Sequence, residues 1–195
     1  MIESQYPILH SHIAAYFGIE KRSHIELIVD MFKEEHLAKG EYFVEAGRRC
    51  DRLSFIRSGL TRTYIEQEDR EVTQWIGYPE TFITDLGSWV FERPARWHVQ
   101  AITEVEILSM YRSDFARLAN LIPEWHLLEK LFIAKCFTAL EERVFMHLSL
   151  TAEQRYQVFF EQHRDLFQQV PLQYIASMLG MTPETFSRIR RKRIS

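Results

Sequence analysis

The stretch Pro171-Leu172-Gln173-Tyr174-Ile175-Ala176-Ser177-Met178-Leu179-Gly180-Met181-Thr182-Pro183-Glu184-Thr185-Phe186-Ser187-Arg188-Ile189-Arg190-Arg191-Lys192 decides how the chain is read. Leu172, Ile175, Ala176 and Leu179 recur at steps of three and four, which marks one face of a short helix. Gly180 takes the left-handed conformation that ends such a helix, and the apolar Met181 belongs under the turn. Thr182 suits an N-cap, Pro183 the first helical position, and Glu184 the positive end of the helix dipole. Phe186 and Ile189 then return to a core. Two helices joined by a short turn that holds a glycine form the helix-turn-helix plan. Ala176 is the small residue that lets the two helices cross closely.

The second helix presents Glu184, Thr185, Ser187, Arg188, Arg191 and Lys192. In a major groove, arginine pairs bidentately with guanine and glutamate accepts from cytosine N4. Hydroxyls reach phosphates or base edges, and cations neutralise phosphate charge. Glu184 and Arg188 lie four apart, so a surface ion pair of about 0.2–0.5 kcal/mol is the plain alternative. The basic run Arg188-Ile189-Arg190-Arg191-Lys192-Arg193 tips the reading towards DNA. The candidate DNA-binding residues are Gln173, Thr182, Glu184, Thr185, Ser187, Arg188, Arg191 and Lys192.

The rest of the chain frames this motif. With 195 residues, 46% hydrophobic and 26% charged, it has room for one generous domain or two small ones, and it is neither disordered nor fibrous. The net charge of −3 hides a split. Residues 1–148 carry −6 (17 Lys/Arg against 23 Asp/Glu) and residues 149–195 carry +3 (7 against 4). An acidic body with a basic end points only the end towards a polyanion, although by itself such a charged stretch more often is just solvated. No stretch has the roughly 20 apolar residues of a membrane helix, and no secretory signal opens the chain. Cys50 and Cys136 are too few for a disulfide framework. A cytoplasmic setting is expected.

From Gly40 to about Met110, short β-branched and aromatic runs alternate with glycine or charged turns. They are Tyr42 to Val44, Leu53 to Ile56, Leu60 to Ile65, Val72 to Ile76, His98 to Ile102 and Val105 to Met110. This spacing predicts an antiparallel barrel or sandwich. Ser23 to Phe32 has helical spacing and packs against one end. From Glu124 to about Leu148 neither Gly nor Pro interrupts a long helix with two apolar stripes. One stripe is Ile133, Phe137, Leu140, Val144 and Leu148; the other is Leu128, Phe132, Cys136 and Ala139. Two stripes predict burial on opposite sides, either with one against a second copy or as a central helix within a single core, and the dimer is the favoured reading. Thr151 and Gln154 form a capping box for a further helix. The expected fold is α+β, with a sensor barrel at 1–122, a dimerisation helix at 123–148 and a helix-turn-helix domain at 149–195.

The chain resembles the CRP/FNR superfamily of bacterial transcription regulators over nearly its whole length. Three matches carry the resemblance. Lys39-Gly40-Glu41 through Ala46-Gly47 to Ile56-Arg57-Ser58-Gly59 is similar to the family's glycine-punctuated jelly-roll start. The helix after Pro123 sits where the family has its dimer helix, and Tyr174 through Arg188 is very similar to its helix-turn-helix. The resemblance implies that Glu184 and Arg188 read bases, with Thr182 and Ser187 near phosphates. It implies a palindromic operator, a homodimer and contact with RNA polymerase. Pro183 stands where some members have an arginine, so the operator need not match theirs.

The sensor half departs from the family pattern. Cyclic-nucleotide binders carry a Gly-Glu pair and then an Arg followed by Ser or Thr. Here the segment reads Phe82-Ile83-Thr84-Asp85-Leu86-Gly87-Ser88-Trp89, then Glu92-Arg93-Pro94-Ala95-Arg96-Trp97-His98. Asp85 stands in for the acidic member, neither Arg93 nor Arg96 has the following hydroxyl, and Trp89 and Trp97 add bulk. The candidate effector residues are Asp85, Arg96, Trp97 and Phe132; the competing reading of Asp85 and Arg96 is an internal ion pair or exposed loop charges. No cofactor is expected: two cysteines cannot supply a four-cysteine cluster, and the eight histidines show no HxH or HExxH spacing. Neither a metal site nor a catalytic residue is predicted, which sets aside a cupin-like enzyme. The alternative function is a cyclic-nucleotide or metabolite receptor acting on a protein partner.

Overall fold

The computed structural model describes residues 6–194, with side chains through Lys192. Eight strands form two four-stranded antiparallel sheets. The first sheet has the order β1 (Lys33–Leu37), β8 (Val105–Tyr111), β3 (Arg52–Ser58), β6 (Phe82–Ile83). The second has the order β2 (Tyr42–Val44), β7 (His98–Ala101), β4 (Thr61–Gln67), β5 (Arg70–Gly77). Between them lies a core that includes Leu37, Phe43, Val44, Ile56, Val99, Ala101, Val105 and Ile107. Register places Ile56 opposite Ile107 and Thr63 opposite Val99.

Strands β3 and β8 are apolar on both faces because both faces are covered. Ile56 and Ile107 point into the barrel, whereas Leu53, Phe55, Leu108 and Met110 join a second, helical core. That core is built by α1 (Pro7–Phe17), α2 (Arg22–Val29), α4 (Arg112–Leu121) and the first half of α5 (Trp125–Ser149). Two buried serines, Ser54 and Ser109, face each other and share a 2.7 Å hydrogen bond, so neither hydroxyl is orphaned. Gly59 permits the β3–β4 corner: its φ is +83°, and a Cβ there would stand 2.0 Å from the Glu104 carbonyl oxygen.

The strand runs expected from the sequence are present with small shifts. The run expected at Leu60 to Ile65 is Thr61–Gln67, and the helix expected at Ser23 to Phe32 is Arg22–Val29. Strand β1 lies before the expected start at Gly40. Its Lys33, Glu34, Glu35 and His36 give no alternation of apolar residues, because it is an edge strand whose one buried side chain is Leu37. Helix α1 precedes every expected element and buries Leu9, Ile13 and Phe17 at four-residue steps.

The long helix runs Trp125–Ser149, and its two stripes behave differently. Leu128 and Phe132 are buried, and Cys136 is half-buried against the helical core. On the other stripe Phe137, Leu140, Val144 and Leu148 are exposed, Leu148 at 83%, with Phe145 and Leu127 beside them. Beyond it, α6 (Ala152–Gln162), α7 (Leu166–Gln169), α8 (Leu172–Met178) and α9 (Pro183–Ile194) close around Tyr156, Leu166, Ile175, Ala176, Phe186 and Ile189. The Thr151 capping box is formed: Gln154 donates its N–H to Thr151 Oγ1 at 3.3 Å, and Thr151 N–H returns to Gln154 Oε1 at 2.8 Å.

Candidate nucleic-acid interface and sensor loop

The turn between α8 and α9 is built by the residues that predicted it. Gly180 has φ +68° and donates its N–H to the Ser177 carbonyl at 3.0 Å, while Met181 N–H reaches the Ala176 carbonyl at 2.9 Å. Thr182 Oγ1 accepts from Thr185 N–H at 3.2 Å and so caps α9. Glu184 stays at the helix start, where its own N–H and the Thr182 hydroxyl stabilise the carboxylate and lower its pKa. Phe186, 1% exposed, locks α9 down by edge contact with Tyr156 (5.3 Å) and stacking on Phe167 (6.0 Å).

Two arginines from outside the motif hold the end of α8. Arg155 Nε donates to the Leu179 carbonyl at 2.9 Å, and Arg143 Nη2 to the Met178 carbonyl at 3.2 Å. Both place cationic donors at the negative end of a helix. The imidazole of His147 lies against the turn, 3.3 Å from where a Cβ on Gly180 would stand. Burial, and then the neighbouring Arg143 and Arg155, push its pKa down.

Of the candidate DNA-binding residues, Gln173, Thr182 and Glu184 line one cleft. Gln173, Thr182, Glu184, Ser187, Arg188, Arg191 and Lys192 are exposed and Thr185 is half-buried. Glu184 and Arg188 form no ion pair among the described residues; the carboxylate serves the helix start instead. Lys192 is held by Glu153 of α6 at 3.1 Å. The side chain of Arg193 lies outside the described residues.

The motif is also seated on the barrel, which the sequence reading did not foresee. Arg62 of β4, 4% exposed, stacks its guanidinium between Tyr174 (3.6 Å) and Tyr64 (4.3 Å), donates to Thr73 Oγ1 at 3.0 Å and pairs with Glu71. Thr73, on the edge strand β5, gives its backbone N–H to Ser177 Oγ of α8 at 2.9 Å. Arg143 lies 5.4 Å over the ring of Trp75. Leu60, Ile76, Tyr78 and Ile102 of the barrel share the apolar core of the C-terminal helices. Beside this seam is a cleft of about 700 Å³, with Arg70, Glu71 and Val72 on the barrel side and Gln173, Tyr174, Thr182, Pro183 and Glu184 on the other.

In the sensor loop, Asp85 is 6% exposed and caps α3 (Leu86–Phe91). Its Oδ1 accepts from Ser88 N–H at 2.8 Å, and its Oδ2 from Arg96 N–H at 2.9 Å and Trp97 N–H at 3.3 Å. Asp85, Arg96 and Trp97 thus do meet, but through backbone amides, and the carboxylate is spent on its own loop. Neither reading of Asp85 as an ion-pair partner nor as an exposed loop charge describes this. The Arg96 side chain is exposed and lies 5.2 Å over the half-buried Trp97. Phe132 sits apart from them in the helical core, stacked on Phe17 at 4.8 Å. Trp89, buried, packs edge-on against Phe115 at 5.3 Å. Among the described residues no group of three or more His, Cys, Asp or Glu side chains is arranged to hold a metal ion. No described helix is long and apolar enough to cross a membrane.

Comparison with known proteins bears on both halves. Residues 34–120 match the family model of the cyclic nucleotide-binding domain. No curated protein matches the chain. Among solved structures, FixK2 from Bradyrhizobium japonicum superposes with a TM-score of 0.69 at 20% identity, covering 83% of each chain. The Thermus thermophilus catabolite activator protein gives 0.55 at 21% identity, over 91% of this chain and 85% of that one. The c-di-GMP-responsive global regulator CLP of Xanthomonas campestris gives 0.63 at 15% identity, over 88% and 91%. Residues 34–120 are therefore similar to a cyclic nucleotide-binding domain, and over most of its length the chain shares its fold with these three proteins.

Proposed function

We propose that the protein is a homodimeric, sequence-specific DNA-binding transcription regulator. One observation carries this reading: a closed helix-turn-helix whose second helix buries Phe186 and Ile189 and turns Glu184, Ser187, Arg188 and Lys192 outward. That face combines base-reading and phosphate-neutralising chemistry on a rod of the right width for a major groove. Gln173, Thr182, Thr185 and Arg191 flank it. The exposed stripe of α5 supports pairing with a second copy, since several adjacent large apolar side chains on one helix face are costly to leave in water. A twofold pair presents its reading helices to half-sites about one helical turn apart, hence a palindromic operator. RNA polymerase as the downstream partner rests on the family resemblance alone.

The domains follow the same division: a sensor at 1–122, a pairing helix at 123–148 and a reading head at 149–195. The engagement of Asp85 with its own loop weighs against a cyclic nucleotide, so the barrel takes another small effector or none. The test is enrichment of duplexes from a random 30-base-pair pool by the full-length protein, followed by anisotropy titration. An enriched palindrome whose binding falls in Arg188→Ala supports the reading. A pool that stays random, or an affinity indifferent to Arg188→Ala, overturns it.

A further inference from the structure

We propose that the C-terminal helices hold a ligand site of their own, between α6, α7 and the inner side of α9, for a flat aromatic monocarboxylate. The cleft there holds about 450 Å³, within the range of small-molecule sites. Tyr156, Phe160 and Phe167 supply its apolar wall. Phe167 meets Phe160 edge to face at 5.0 Å and Tyr156 edge to face at 5.5 Å. Phe160 and Phe167 are only half-buried, so the wall keeps ring surface for one more ring to pack on.

Two cations border this wall, Arg164 from the α6–α7 turn and Arg190 from α9. Arg190 stands four positions after the buried Phe186 and so shares its side of the helix, away from Arg188. In the sequence it is one more cation of the basic run; in the fold it is half-buried beside aromatic rings. Neither arginine has a carboxylate partner among the described residues, and Arg164 instead lies 5.5 Å over the Phe160 ring. A half-buried guanidinium without a counter-ion is costly, and a carboxylate gripped by its planar fork removes that cost. Glu161 also lines the cleft, where it accepts from Gln157 Nε2. Two cations against one carboxylate leave a single net positive charge, which suits a monoanion better than a phosphate dianion. Gln157 Oε1 is buried and accepts from no described residue, an orphan that a ring N–H or O–H satisfies.

This site stands apart from the DNA-binding reading and is tested without DNA. Indole-3-acetate is titrated calorimetrically into the full-length protein, with indole-3-acetamide as its uncharged match. The acid is expected to bind with a Kd of about 1 mM or tighter, and the amide about tenfold more weakly. Arg190→Leu puts an apolar side chain beside Phe186, and Arg164→Gln alters an exposed position, so both keep the ligand-free Tm. Each is expected to lose about tenfold in affinity for the acid. The acid raises the Tm of the C-terminal helices in the unaltered protein but not in Arg190→Leu. A Kd for the acid weaker than about 1 mM, equal binding of acid and amide, or unchanged affinity in either variant overturns the proposal.

Discussion

Of the helix starts that carry a side-chain cap, those of α9 and α3 use it to opposite ends. At α9, the Thr182 hydroxyl closes the first turn and leaves Glu184, Ser187 and Arg188 facing solvent. At α3, Asp85 closes the first turn and then binds the backbone of Arg96 and Trp97, drawing the following loop over itself. The first cap is a neutral hydroxyl that satisfies one amide. The second is a buried carboxylate shared by three amides, a charge-assisted arrangement that consumes the charge a ligand would meet. A cap therefore does not by itself make a site: what counts is whether the charges around it remain unspent.

The largest effect that separates the two regions is expected from Phe186→Ala. It empties the centre of the reading head and costs about 3–5 kcal/mol, read as a lowered Tm of the C-terminal helices with the barrel's transition little changed. Asp85→Ala removes the acceptor of one buried and two part-buried amides and costs about 1–3 kcal/mol, read by urea unfolding of the barrel; a variant as stable as the parent would mean that Asp85 is not the organiser of its loop. Arg188→Ala, by contrast, leaves stability unchanged and costs about 1–3 kcal/mol in DNA affinity while relaxing base preference at one position.

Pairing can be probed on the exposed stripe of α5. Phe137→Asp combined with Leu140→Asp should convert a dimer to a monomer in sedimentation without lowering the Tm of the barrel, since both side chains are exposed in the single chain. The smallest effect concerns pH. His147 in the folded protein titrates below its ordinary value of 6.5, so the unfolded chain binds the proton more readily. Its contribution is complete above pH 6.5 and is lost as pH falls towards the folded pKa. The Tm of the C-terminal helices should therefore drop slightly on acidification below about pH 6.5, and His147→Gln should flatten that slope.

How far the sequence went is best judged from particular residues. Gly180, Thr182 and Pro183 each have a local conformational role, so the α8–α9 turn was readable without any knowledge of what surrounds it. The two stripes of α5 were readable from periodicity, and only the structure assigns Leu128 and Phe132 to the inside. Strand β1 escaped because an edge strand with one buried side chain has no apolar rhythm to find. The seam between barrel and reading head escaped for another reason. Thr73 and Ser177 stand 104 positions apart, and nothing near either predicts the other. Arg62 reads as an ordinary polar residue in an alternating strand until Tyr174 closes over it. Asp85 was read from the sequence as an effector residue, an ion-pair partner or a loop charge; its three amide partners are a property of the folded loop rather than of any spacing.

Hydroxyl-radical footprinting of the full-length protein on an enriched duplex tests the central claim most directly. The account predicts two protected patches centred about 10 base pairs apart, both weakened in Arg188→Ala. A single patch, or protection spread evenly along every duplex and unchanged by Arg188→Ala, would contradict it.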